Sequence, residues 1–428
     1  MKFQVSALAL LVSSAAMAND IVPAVKQQQA VFLNDGVIHT VTNGVISNGD
    51  LLLVDGKIAA VGTDLSAPAG ATVIELQGKH VYPGLIALGN QLGLLEIEAV
   101  RATDDTREVT ETNPDVRAQI AYNADSEVIP VTRANGFSYT LVYPGGNMLM
   151  GQSSLMQLDA WNWQDATVKA GVGLHIRWPA TSTLSSPWNP QKPEEVAKEN
   201  AKAEQALRDY LDQAKSYVDA KAAGIVRNID SRWEAMIPVF KGERPVYAHA
   251  DDARQIKMAL QYAKEYGFKL VIVGGSDAGE VAPLLAAANV PVIFTHPFGV
   301  PERDDEPVDY AYSTPAKLQA AGVTVALSLD GYWDTRNVVF GAGQAQAFGL
   351  TAEQALATVT INAAKIVGLD KQLGSLEVGK AASVIVSDGD VMDYGTSKIR
   401  YMWIDGRAVD LNNRHKQLHD KYQQRYSR

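Results

Sequence analysis

Two side chains of this sequence stand at the ends of apolar runs, where a reactive group can be held and partly desolvated: His249 and Asp330. His249 closes Val246-Tyr247-Ala248 and precedes Asp251-Asp252 and an amphipathic stretch. An imidazole there could hold a metal or move a proton near neutral pH, or serve only structure. Asp330 closes the run 325–329. A carboxylate is costly to bury without a partner, which points to a site; the plainer reading is a cap or Asx turn before Gly331. Of the seven histidines, His39 and His80 fall in an early β-rich region, and His415 and His419 in a polar C-terminal helix. The i, i+4 spacing of that last pair could clamp a metal, but a solvated face explains it better. His175 and His296 could line a cavity mouth and read more simply as structural. Glu96, Glu98, Arg101, Asp104, Asp105 and Arg107 crowd one loop. They form either a solvated segment or, for Glu96, Glu98 and Arg101, ligand contacts.

Elements that could position these groups follow from periodicity. Short apolar runs at 139–142, 154–158, 246–250, 269–273, 292–295 and 323–329 alternate with helical patterns at 193–223, 253–266, 280–288, 315–321 and 352–367. That alternation is the pattern of a parallel α/β fold. The acidic and basic helix around 194–221 reads as a solvated surface helix with i,i+4 pairs, with partner binding as the alternative. Earlier, short runs punctuated by Asn34-Asp35-Gly36 and Asp55-Gly56 read as a small antiparallel β unit. A matching β segment returns at 382–388 and 399–405.

Composition narrows the function classes. The chain has 428 residues, 46% hydrophobic and 20% charged, as in an ordinary globular protein with room for a large core. A net charge of -10 argues against nucleic acid as a partner. No later apolar stretch is long enough for a membrane span. Met1-Lys2, an apolar run at 5–12 and Ala16-Met17-Ala18 have the order of a secretory signal peptide cleaved after Ala18. The absence of cysteine suits an oxidising compartment, so a periplasmic or secreted location is expected.

The run Pro83-Gly84-Leu85-Ile86 resembles the opening of the first barrel strand in the metal-dependent amidohydrolase superfamily, the imidazolonepropionase-like branch especially. The hairpin around Asp55-Gly56-Lys57-Ile58, the run Leu373-Gly374-Ser375-Leu376-Glu377-Val378-Gly379-Lys380, and Ile361-Asn362-Ala363-Ala364-Lys365 are similar to family segments as well. Pro144-Gly145-Gly146-Asn147 resembles the family's Gly-rich segment before the third strand. The resemblance implies a (β/α)8 TIM-type barrel with a small β-sandwich domain built from both chain ends. The expected division is a signal peptide at 1–18, sandwich at 19–83 and 368–411, barrel at 84–367, and a C-terminal helix at 412–428.

The resemblance also implies a divalent metal, zinc, held by an Asp-x-His-x-His run and by strand-end ligands. Here Ala87 stands for the Asp, Gly89 and Gln91 for the two histidines, and Gly274 for the sixth-strand histidine. His249 matches the fifth-strand ligand, and Asp330 matches the eighth-strand Asp that contacts metal and takes the proton from the attacking water. A bridging fourth-strand Lys has no assignable match. Gln91, Glu96, Arg101, His296 and Arg336 are the candidate substrate contacts. Two surviving ligands would hold zinc poorly, since a catalytic site normally has three protein ligands plus water. Two functions are therefore expected: a hydrolase of carbon–nitrogen bonds in a small cyclic amide or peptide-like substrate, or a catalytically silent barrel serving as a periplasmic binding protein. A homodimer is a family-based expectation.

Overall fold

The computed structural model describes residues 21–183, 190–225, 228–301, 303–304 and 306–427. The export segment expected at 1–18 lies outside the described residues.

The two ends of the chain meet in one eight-stranded sheet. Its strands are Val31–His39, Val45–Val54, Lys57–Gly62, Thr72–Glu75 and His80–Pro83 from the first part of the chain, and Val384–Ser387, Ile399–Ile404 and Arg407–Ala408 from the last. The seam between the ends is antiparallel, with Pro83 opposite Val384 and Val81 opposite Val386. Leu33, Ile38, Leu51, Leu53, Val81, Val384 and Trp403 form a separate core for this unit. Hydrogen bonds run through all eight strands. Asp55 and Gly56 both take positive φ, 48° and 74°, as a tight two-residue hairpin needs. A Cβ on Gly56 would lie 2.9 Å from the Asp405 carbonyl oxygen, so glycine there also lets two hairpin tips touch.

The middle of the chain has a TIM-barrel-like α/β fold. We number its strands β1 Leu85–Asn90, β2 Phe137–Val142, β3 Leu149–Gln152, β4 Ser154–Gln157, β5 Leu174–Arg177, β6 Val246–Ala250, β7 Leu270–Gly274, β8 Val292–Phe294 and β9 Val325–Leu327. Strands β5 to β9 pair parallel in order, and β1 pairs parallel with β2. All residues of β1 and β2 are buried; β1 opens as a continuous apolar run, as a strand covered on both faces does, whereas β2 buries Ser138 and Thr140 among its apolar residues. At the other edge, the Ser328 hydroxyl just after β9 donates to the Leu88 carbonyl of β1.

One departure from the expected parallel order concerns residues 149–157. Here β4 runs antiparallel to β2, and β3 antiparallel to β5, with only Ser153 between them. The reason lies in the connection. Residues 143–148 alone link β2 to β3, and a parallel crossover needs a dozen residues or more.

Candidate active site

His249 is aimed by β6, whose register places it opposite Arg177 of β5. Its Nε2 lies 2.9 Å from His175 Nδ1. His175 is fully buried and stacked between Tyr143 and Tyr247, with ring centroids 4.6 and 4.8 Å away. Its Nε2 has no hydrogen-bond partner. Placing the shared proton on His175 Nδ1 leaves that buried Nε2 as a bare lone pair rather than an unpaired N–H, the cheaper arrangement. His249 then accepts at Nε2 and carries its own proton on Nδ1. Burial foremost, helped by the Arg177 charge and opposed by Asp251, pushes His249 down to about 3, so its ring is neutral at physiological pH. Burial likewise holds His175 well below its ordinary range.

The Asp251-Asp252 doublet after β6 splits into two jobs. Asp252 caps the helix Ala253–Tyr266, accepting from the N–H groups of Arg254 and Gln255 in a capping box. Asp251 accepts instead from His296 Nε2 at 2.9 Å. Burial pushes the Asp251 carboxyl up, but His296, the Ser276 N–H and His249 outweigh it and leave it below the usual carboxylate range. Asp330 behaves the other way. Burial first, then the nearby Asp251 charge, raise it against the pull of His296, the Thr295 hydroxyl and Arg177. Both carboxylates open onto one cavity of about 890 Å³ and are exposed there.

That cavity lies outside the carboxyl ends of the strands, where barrels of this type place their sites. Gln91, Tyr143, Arg177, Trp178, His249, Asp251, Thr295 and Asp330 line it. The long helix Pro193–Ala222 adds Glu199, Asn200, Ala203 and Ala206. Of the residues singled out from sequence, His249, Asp330 and Gln91 thus share the cavity, and His296 reaches it through Asp251. Glu96, Arg101 and Arg336 lie outside its lining. Glu96 accepts from the Tyr332 hydroxyl at its carbonyl, Arg101 bonds the Asp104 carbonyl, and Arg336 lies over the Trp333 ring at 5.7 Å. Asp251, Tyr143, Trp178 and the 199–206 helix face went unrecognised in the sequence. The doublet carried a signal for Asp251: a helix needs one capping carboxylate, and the second was free for other work.

The family model described as the amidohydrolase family matches residues 166–410. The chain belongs to that family. It is 28% identical to the imidazolonepropionase of Chromobacterium violaceum over 386 residues, covering 82% of this chain and 87% of that one. To the amidohydrolase tasK of Hapsidospora irregularis it is 21% identical over 401 residues, 84% of this chain but 40% of the relative's length. A match to the Maricaulis maris imidazolonepropionase, 30% identical, spans 44% of that protein. Among solved structures, an amidohydrolase from Thermotoga maritima MSB8 superposes with a TM-score of 0.78 at 26% identity, covering 89% of this chain and 99% of that one. These amidohydrolase relatives place the chain in the imidazolonepropionase-like branch.

Amidohydrolases commonly bind a divalent metal, and the positions that the resemblance gives to its ligands do not fit one among the described residues. Gly89 and Gly274 offer no donor atom, and Gln91 offers only an amide. At Gly274, φ is 104° and a Cβ would meet Asp251 Oδ1 at 2.4 Å, so the Asp251 carboxylate fills the space a sixth-strand ligand would need. At Gly89 a Cβ would have room, 3.7 Å from Ile293, but φ is 68°, in the left-handed region that disfavours a side chain. His249 Nε2 is engaged by His175. Among the described residues, no group of three or more His, Cys, Asp or Glu is placed to hold a metal ion.

Proposed function

We propose that the cavity takes a small amide-like molecule and that the chain hydrolyses its carbon–nitrogen bond with side chains in place of a metal. Asp330 is the general base in this reading: it faces the cavity, and its raised pKa moves it toward the range where a carboxylate accepts a proton usefully near neutrality. Neutral His249 is the electrophile. With Nε2 occupied by His175, its Nδ1–H is left to donate to a substrate carbonyl oxygen. The proton of an attacking water goes to Asp330, which then returns it to the leaving nitrogen. The observation that carries this reading is the opening of both groups onto one cavity at the strand ends. A second reading, binding without turnover, is favoured by the sequestered His249 Nε2 and the glycines at positions 89 and 274.

One assay separates them. Cyclic amides and dipeptides are offered to the full chain with and without chelator, and amine release is followed alongside bound-metal analysis. Hydrolysis that survives chelator and falls about 100-fold or more in Asp330→Asn supports the side-chain mechanism. Binding with no amine release selects the silent barrel, and chelator-sensitive turnover overturns both. We further propose export directed by residues 1–18, checked by the mature N-terminus in the source cell, and a homodimer, checked by the mass in solution.

A further inference from the structure

A second cavity, of about 920 Å³, opens at the opposite end of the strands, where β7 and β8 begin. Its floor is apolar, with Leu260, Phe268, Leu270, Leu284, Val290 and Pro291. Leu284, part of that floor, is 49% exposed. The rim has a single sign of charge: Lys257, Lys264, Lys269 and Lys365, with no acidic lining residue. None of these four ammonium groups has an ion pair or hydrogen bond among the described residues. In a chain of net charge -10, that clustering is not what an even surface would give.

Helix ends account for part of it. Lys264 and Lys365 sit in the last turns of the helices Ala253–Tyr266 and Ile361–Ile366, where the helix dipole favours a cation. Lys257 and Lys269 have no such reason to be there. Lys257 and Lys264, seven apart on one helix, share a face and flank the groove along its length. A small polar anion such as phosphate would find lysines but rest on hydrocarbon, and a neutral apolar molecule would make no use of the four exposed cations. Only an amphipathic anion meets both features.

We propose that this groove binds an amphipathic carboxylate, its alkyl chain on the Leu260–Leu284 floor and its head group among the lysines. The site is separate from the cavity holding Asp330, so it stands or falls independently of the hydrolase reading. Decanoate is titrated calorimetrically into the full chain, with decanol and inorganic phosphate as comparisons. Decanoate should bind, decanol at least about tenfold more weakly, and phosphate not at all, because a charge-assisted hydrogen bond is worth about a factor of ten. The combined Lys257→Gln, Lys264→Gln and Lys269→Gln variant should lose at least about tenfold in decanoate affinity with unchanged thermal melting. Leu284→Glu, on an already exposed position, should weaken decanoate through the floor and serves as a second probe. The proposal is overturned if decanoate does not bind, if decanol binds equally well, or if neither variant alters decanoate affinity. It is also overturned if phosphatidylglycerol vesicles capture the protein through the same lysines while decanoate does not bind.

Discussion

The chain contains two histidine pairs of nearly the same make. In the barrel, His175 Nδ1 meets His249 Nε2 at 2.9 Å with Tyr143 and Tyr247 stacked on His175. In the small sheet, His39 Nε2 meets His80 Nδ1 at 2.9 Å, and Tyr82 stacks on His39 at 4.2 Å. The small-sheet pair is half-buried, and Asp390 is bonded to the Tyr82 hydroxyl beside it. The barrel pair has one ring sealed in the core and the other opening beside two carboxylates. Paired imidazoles on a tyrosine are therefore a packing device this chain uses twice. What makes the barrel pair a candidate for chemistry is its surroundings: a cavity, and Asp251 and Asp330 facing into it.

Truncation is the severest way to break the likeness. His175→Ala removes a fully buried ring between two tyrosines and leaves His249 Nε2 without its partner, so a loss of about 3 kcal/mol is expected. His80→Ala leaves a half-exposed site that water can reach, and should cost about 1 kcal/mol or less. Urea unfolding of both variants measures the two values side by side. Equal costs would mean that burial does not distinguish the pairs.

Acid titration sharpens the comparison next. Burial pushes His249 from an ordinary 6.5 to about 3, and burial with His80 pushes His39 to about 4. Both rings fold in the neutral form, so below pH 6.5 the unfolded chain binds more protons than the folded one. Stability is steady above 6.5 and falls as pH drops, down to about 3 for His249 and about 4 for His39. The expected loss is on the order of a few kcal/mol per ring at the bottom of each window. His249→Gln should flatten the acid-side slope over the wider window, and His39→Gln over the narrower one. A wild-type slope left intact by His249→Gln would show that this ring is not held neutral by the fold.

Part of this arrangement was legible in the residues and part was not, for physical reasons. Asp55-Gly56 announced its hairpin because two positive φ values in sequence leave few other residues. His249 and Asp330 were legible because an ionisable group at the end of an apolar run needs an explanation. The direction of β3 and β4 was not, since a strand buried on both faces shows the same apolar run whichever way it points. Nor was the role of Glu199 and Asn200. A helix face beside an open cavity carries the same polar residues as one beside bulk solvent, so Pro193–Ala222 reads as solvated. Glu96, Arg101 and Arg336 attracted notice by charge, but the Tyr332 hydroxyl meets Glu96 at its backbone carbonyl, and Arg101 and Arg336 meet a local carbonyl and an adjacent ring, contacts that residue types alone do not separate from ligand contacts.

The smallest expected effects test the carboxylates that set the barrel pair apart. Asp330 is raised on folding, so the stability it lends is complete below a carboxyl's ordinary 3.8 and is lost as pH climbs through its higher folded value. At neutral pH its charge therefore works against the fold, and Asp330→Asn should stabilise. Asp251 is lowered, so the stability it lends is present above 3.8 and vanishes on acidification, and Asp251→Asn should destabilise at neutral pH. Both groups are exposed, so solvent screening keeps each change below about 1 kcal/mol. Melting curves of the two variants at pH 7 read the signs directly. Opposite signs mean that the cavity holds one carboxylate poised to take a proton and one committed to His296, a division the His39–His80 pair has nothing to match. Shifts in the same direction would reduce the two aspartates to interchangeable charges and remove the reason for choosing Asp330 as the base.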